Sequence, residues 1–167
     1  MVLTLLRHAP PPLAFHGRYI GHSDIPIDSE LFHPLTLPSA YDVIYSSDLI
    51  RCTQTLEQLG YRDYQTDERL REVRFKEAYE GKSFDEIERM DVYNPRFLES
   101  EELWHSFICD EKAENFRSRI ASFLEELPRE QNILICTHAG TIREILFLLE
   151  NRPKRLNYLE YTIVTVK

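Results

Sequence analysis

The sequence predicts an α/β fold with a mostly parallel central sheet flanked by helices. Three observations carry this expectation. Short β-compatible runs alternate with amphipathic stretches along the chain. The run at residues 132–137 (NILICT) is almost continuously apolar, as a strand covered on both faces would be. Just after it, Ile142, Ile145, Leu146 and Leu149 fall at helical spacing.

The elements follow in order. Residues 2–6 form an apolar run and read as the first strand. Residues 7–28 hold Pro10, Pro11, Pro12, Gly17, Gly21 and Pro26, which forbid a helix and make a long loop. Residues 28–41 stay punctuated by proline and allow at most a helical turn. Residues 42–46 (DVIYS) read as the second strand. Ser47 or Asp48 is placed to cap the next helix, which runs to about Leu59 and ends at Gly60. Residues 64–66 make a brief third strand, and residues 67–81 are charged and irregular. Ser83, with Glu86 three positions on, predicts a capped helix through Met90. Asn94-Pro95 is a break, after which residues 101–127 read as one helix with Phe116, Ile120, Phe123, Leu124 and Leu127 on its apolar face. The strand at 132–137, a helix at 141–150 and a last strand at 161–166 (YTIVTV) complete the pattern.

Composition narrows the function classes. The 167 residues are 43% hydrophobic and 29% charged, a globular balance, and residues 1–167 are expected to form a single domain. The 20 Lys+Arg against 28 Asp+Glu give a net charge of −8, which argues against general nucleic-acid binding and leaves room for a local cationic pocket. The longest strictly apolar run, residues 145–149, is too short for a bilayer, and residues 1–6 meet Arg7 too soon for a secretory signal. Cys52, Cys109 and Cys136 are odd in number and widely spaced, so no disulfide framework and a cytoplasmic location are expected. Cys136, in an apolar strand, reads as a buried, inert thiol. The six histidines include no HExxH pattern, and neither a metal nor another cofactor is expected.

In parallel sheets of this kind, sites lie past the carboxyl ends of strands. Arg7-His8 follows the first strand, His138 follows the strand at 132–137, and Arg51 falls in the first turn of the helix after the second strand. Two arginines supply forked donors matched to phosphate oxygens, and the amides near Ala139 and Gly140 add a helix N-terminus. A neutral imidazole is a competent nucleophile toward phosphorus.

These residues resemble a known family. Leu5-Leu6-Arg7-His8 is similar to the opening signature of the histidine phosphatase superfamily, also called phosphoglycerate mutase-like. Ser47 to Thr55 (SDLIRCTQT) resembles its S-x-L-x-R-x-x-Q-T block, and Thr137 to Arg143 (THAGTIR) resembles its late histidine block. Leu70-Arg71-Glu72 followed by Tyr79-Glu80-Gly81 is similar to the block that carries the family's acid, and residues 17–26 (GRYIGHSDIP) resemble a loop of the α-ribazole phosphatase-like branch.

The resemblance implies His8 as the nucleophile that becomes phosphohistidine, with Arg7, Arg51 and His138 binding the phosphoryl group and Glu72 acting as general acid and base. Glu77 and Glu80 compete for that last role. Ala139 joins the phosphate side, and Arg18, Tyr19, Gly21 and His22 are expected at the substrate entrance. Arg143 reads as structural, and Trp104 as packing.

Four departures from the family pattern stand out. Ala9 and Ala139 replace glycines. The helix that usually follows the first loop is missing from residues 28–39. The acid block, residues 75–81, is one residue longer than usual.

The expected activity is metal-independent hydrolysis of a small phosphorylated metabolite, an α-ribazole phosphate-like compound being one candidate. A phosphohistidine or phosphoprotein phosphatase, a phosphoglycerate-type mutase and a catalytically dead phosphate-binding module are the alternatives. The partners expected are the phosphorylated substrate and a phosphate or other oxyanion in the pocket, with no nucleic acid and no membrane.

Overall fold

In a computed structural model, which describes residues 1–38 and 40–166, five strands form one sheet. They are β1 (Val2–Arg7), β2 (Val43–Ser46), β3 (Gln65–Thr66), β4 (Asn132–Thr137) and β5 (Tyr161–Thr165), in the order β3-β2-β4-β1-β5. Every pairing is parallel except that of β5, which lies antiparallel on the β1 edge. The mostly parallel α/β architecture expected from the sequence is therefore the one observed.

Side-chain alternation along the central strands sorts the core. Leu3 and Leu5 of β1 and Ile133 and Ile135 of β4 face one side. There they pack on Phe116, Ile120 and Phe123 of α4 (Ala113–Glu125) and on Ile142, Ile145 and Leu146 of α5 (Ala139–Glu150). Leu6, Leu134 and Cys136 face the other side, against Cys52 and Leu56 of α1 (Ile50–Gln58). No helix lies between Phe15 and Ile50 among the described residues. Leu35, Leu37 and Tyr41 of the proline-rich segment pack on this second face instead, and Ser39 lies outside the described residues. The remaining helices, α2 (Phe84–Ile87) and α3 (Glu101–Ile108), pack with Tyr79 beside the first face, where Phe97 stacks on Phe107 at 4.1 Å.

Several boundaries differ from the sequence expectation. The helix expected over residues 101–127 is two helices. Cys109 leaves the helical conformation (φ −92°, ψ 140°) to bridge to Phe75, and the Lys76 amide and ammonium take the carbonyls of Ile108, Phe107 and Ser106. A pairing between distant segments thus overrides local helical preference.

Neither Ser47 nor Asp48 caps α1. Leu49 is the residue before the helix, Asp48 pairs with Arg71 (2.8 and 2.5 Å), and the Ser47 hydroxyl turns toward His138. The Ser83–Glu86 capping box is formed, but its helix closes at Ile87 rather than Met90. The α5 helix begins at Ala139, two residues earlier than expected, and ends at Asn151, whose φ of 53° gives it a left-handed cap. Asn94-Pro95 opens a 3-10 turn, Pro95–Leu98, with the Asn94 side chain accepting from the Arg96 amide. No helix of the described residues is long and apolar enough to cross a membrane.

Ile135 is fully buried in the centre of the sheet, whereas Leu13 is 68% exposed. Ile135→Ala is expected to cost about 2–5 kcal/mol and Leu13→Ala within about 0.5 kcal/mol, both read from urea unfolding midpoints.

Candidate active site

Three segments converge where β1, β2 and β4 end. The parallel pairing of β1 with β4 puts Arg7 level with Thr137, and the His8 amide donates to the Thr137 carbonyl (3.0 Å), extending the ladder one residue further. His8 and His138 therefore emerge side by side, their rings 5.2 Å apart in an edge-on arrangement. The β2 strand pairs on the other side of β4 and delivers Ser47 and then α1, whose second residue is Arg51.

Both rings have their tautomers set by their partners. His8 Nδ1 lies 2.7 Å from the Ala9 carbonyl, which can only accept, so Nδ1 carries the proton and Nε2 keeps its lone pair. No hydrogen bond occupies Nε2 among the described residues, and the ring lines a cavity of about 250 Å³. Ala9 is fully buried, and its amide donates to Thr55 Oγ1 (2.8 Å), so the methyl group in place of glycine is accommodated.

His138 Nδ1 accepts from Arg51 Nε (3.2 Å), so its proton sits on Nε2 and is donated to Ser47 Oγ (2.9 Å). Both nitrogens of His138 are thus engaged within the protein, and the ring, though it lines the cavity, presents no free N–H to it. Burial, together with the charges of Arg51 and Arg7, holds the pKa of His8 well below its usual value. Burial and Arg51 do the same for His138, with His8 and Arg7 adding to the effect.

Arg51 is only 2% exposed and has no carboxylate partner among the described residues. Its guanidinium donates to the carbonyls of Ser23 and Gly21, both at 2.8 Å. Arg7 donates to the Leu156 carbonyl (2.8 Å) and lies 3.8 Å from the centre of the Tyr158 ring.

Glu72 lines the same cavity. Its carboxylate accepts from the Gly140 amide (2.9 Å) and the Val73 amide (3.0 Å). A Cβ on Gly140 would meet the end of the Glu72 side chain, so glycine lets the carboxylate sit against the start of α5. The Gly140 amide, expected to meet phosphate, is taken by Glu72 instead. Glu77 is exposed and away from the cavity, and Glu80 is engaged with the amides of Gly21 and Ser23. Neither competitor lines the cavity.

Arg18 and Tyr19 line the cavity as expected, whereas Gly21 and His22 do not. The Gly21 carbonyl is turned to Arg51, and His22 Nε2 donates to the Glu72 carbonyl (2.9 Å) from behind. Arg119 reaches that same carbonyl (3.0 Å) and those of Arg69 and Arg71, while gripping Glu111 through two nitrogens (2.6 and 3.0 Å). Ala139 lies on the cavity wall. Arg143, read from sequence as purely structural, also reaches the cavity rim while bonding Glu101. Trp104 packs among Tyr19, Phe84 and Phe107. Cys136 is fully buried, and burial raises its thiol pKa.

Sequence reasoning missed Tyr158 and Arg155, both on the cavity wall. The antiparallel approach of β5 carries the residues before Tyr161 over the end of β1, and the signal was that last strand once its direction is known. Among the described residues, no group of three or more His, Cys, Asp or Glu is placed to hold a metal ion.

Paired histidines at adjacent strand ends, with Arg7 and the buried Arg51 around one cavity, meet a family match over nearly the whole chain. A model of the histidine phosphatase superfamily, branch 1, matches residues 3–165. The chain belongs to this superfamily. Among solved structures of the fold, the protein TTHB049 from Thermus thermophilus is 26% identical, over 98% of this chain and 93% of that one, with a TM-score of 0.73. A phosphoglycerate mutase from Thermus thermophilus is likewise 26% identical, over 98% and 92%, at 0.73. A phosphoglycerate mutase from Bacillus anthracis str. Sterne, 19% identical over 98% and 86% at a TM-score of 0.74, shares the fold. No curated protein matches the chain.

The buried histidine phosphatase site sets a pH dependence. Folded His8 and His138 bind protons only well below pH 6.5, whereas the unfolded chain binds them near 6.5. Stability is therefore retained above about pH 6.5 and falls as pH drops, by up to about 1.4 kcal/mol per pH unit for each ring. Urea unfolding at pH 7, 6 and 5 reads the slope, and His8→Asn is expected to reduce it. In a separate measurement, Arg119→Ala removes the ion pair to Glu111 and a donor to three carbonyls, and is expected to cost about 1–3 kcal/mol.

Proposed function

We propose that the chain is a metal-independent phosphomonoester hydrolase that works through a phosphohistidine on His8. The observation that carries this reading is the Nδ1 hydrogen bond of His8 to the Ala9 carbonyl. It fixes the ring in the tautomer whose Nε2 lone pair is free, and the depressed pKa keeps that nitrogen unprotonated at neutral pH.

In the first step, the Nε2 lone pair forms a bond to phosphorus as the ester P–O bond breaks. The leaving oxygen takes a proton from the Glu72 carboxyl group. In the second step, Glu72 accepts a proton from water as the water oxygen attacks phosphorus. The P–N bond breaks, giving inorganic phosphate and restoring His8. Arg7 and Arg51 donate to the phosphoryl oxygens, whose charge spreads in the transition state. One such prepositioned donor contributes about 3–4 kcal/mol. His138 holds the Arg51 guanidinium through Nδ1, and Ser47 holds His138. The Ala139 amide, which has no partner among the described residues, adds a donor at the start of α5.

Hydrolysis is favoured over phosphoryl return by the absence of a helix between Phe15 and Ile50 among the described residues. A mutase must exclude water while its intermediate persists. The relatives named phosphoglycerate mutase keep that activity as the second reading. The loop at 17–26 supports a small metabolite of the α-ribazole phosphate type, and a cytoplasmic setting fits three free, buried cysteines.

The test is p-nitrophenyl phosphate hydrolysis with chelator present. Wild-type protein is expected to turn over, with the acid limb of kcat/KM below pH 6.5. His8→Ala is expected to lose at least about 10³-fold and Glu72→Gln about 10²–10⁴-fold. Equal rates in wild type and His8→Ala overturn the mechanism. Phosphate binding without turnover in wild type identifies a dead module.

A further inference from the structure

Arg7 and His8 both lean on a side chain from the far end of the sequence. Arg7 Nη1 is tied to the Leu156 carbonyl (2.8 Å), and Arg7 Nε is buried without an acceptor among the described residues. That leaves Nη2 as the nitrogen free to meet a ligand in the cavity. Arg7 has no carboxylate partner among the described residues, so no ion pair sets the plane of its guanidinium. An aromatic ring does so instead. The guanidinium carbon lies 3.8 Å from the centre of the Tyr158 ring, within cation–π range.

Several contacts hold the segment that carries Tyr158, between α5 and β5. Leu156 is fully buried and anchors it in the core. The Leu159 amide lies within reach of the carbonyls of Arg7 (3.2 Å) and His8 (3.4 Å), which ties the segment to the end of β1. The Glu160 carboxylate accepts from the Asn157 amide (2.8 Å) and closes the turn. The Tyr158 ring packs on His8 (5.5 Å between ring centres) and on His16 (5.3 Å), and His16 Nε2 donates to the Pro11 carbonyl (2.8 Å). The ring is therefore a fixed wall. Arginine is a long, flexible side chain, and it has a competing partner close by. Glu72 is the one carboxylate on the wall of the same cavity among the described residues. A guanidinium free to turn would be drawn to it, and a phosphate would then have to break an ion pair in order to bind.

We propose that Tyr158 is a positioning residue, whose ring holds the Arg7 guanidinium off Glu72 and aimed at the phosphoryl oxygens. The inference rests on the phosphomonoesterase reading, and it adds to that site a residue that acts through Arg7.

Two variants isolate the aromatic face. Tyr158→Leu keeps an apolar side chain without a π face, and Tyr158→Phe keeps the ring without the hydroxyl. In p-nitrophenyl phosphate hydrolysis, Tyr158→Leu is expected to lower kcat/KM at least about tenfold, and Tyr158→Phe to recover it to within about threefold of wild type. In an Arg7→Met background, Tyr158→Leu is expected to change kcat/KM less than about twofold, because the group it acts through is gone. A loss of folding alone would lower both backgrounds alike. Calorimetric binding of inorganic phosphate is expected to follow the same order, at least about fivefold weaker for Tyr158→Leu and within about twofold of wild type for Tyr158→Phe. Equal losses from Tyr158→Leu in the two backgrounds, or a Tyr158→Phe protein as impaired as Tyr158→Leu, overturn this inference alone. Phosphate affinity unmoved by Tyr158→Leu does the same, and it decides the matter even where wild type binds phosphate without turnover. Wild-type protein that neither binds phosphate nor hydrolyses p-nitrophenyl phosphate overturns the phosphomonoesterase reading and this inference with it.

Discussion

The register of β1 against β4 governs everything near the cavity. Because Arg7 pairs with Thr137, the two strands end level, and the His8 amide can reach the Thr137 carbonyl. Side chains alternate faces along a strand, so a slip of one residue would turn Leu3 and Leu5 away from Ile133 and Ile135. The same slip would part His8 from His138. Core burial, at about 1.5–3 kcal/mol for each large apolar side chain, therefore enforces the alignment of the two imidazoles. The site does not have to stabilise its own geometry, since the hydrophobic pattern of the sheet does so.

A second constraint is the charge that this arrangement buries. Arg51 sits at 2% exposure among carbonyls and a neutral imidazole. Arg7 has a buried Nε with no acceptor among the described residues. Carbonyl dipoles soften the cost of a buried cation but do not cancel its charge. Burial first, and the positive charges of Arg51 and Arg7 with it, keep both histidines neutral. Neutral imidazoles and buried guanidinium groups are thus two consequences of one arrangement.

Much of this was legible in the sequence, for reasons that can be named. Strands β1, β2 and β4 showed as apolar runs, and the residues just past their ends are where parallel sheets place chemistry. Arg7, His8, Arg51, Glu72 and His138 could be proposed because each lies within two residues of a strand or helix end or in a family-like block. What could not be read depends on contacts between distant segments. The Phe75–Cys109 bridge, which splits the long helix, is invisible to helical periodicity. Ser47 looked like a helix cap, because nothing local shows that His138 lies 2.9 Å away. Gly21 and His22 were assigned to the substrate, yet they support Arg51 and Glu72 from behind. Tyr158 escaped notice because strand direction cannot be read from composition.

The contrast between the exterior and the cavity bears on selectivity. The chain carries a net charge of −8, yet Arg51 is buried and Arg7 half-buried at the sheet end. At physiological ionic strength, exposed charges are screened beyond about 8 Å, so the acidic exterior weakens but does not abolish the attraction of a phosphate that has reached the cavity mouth.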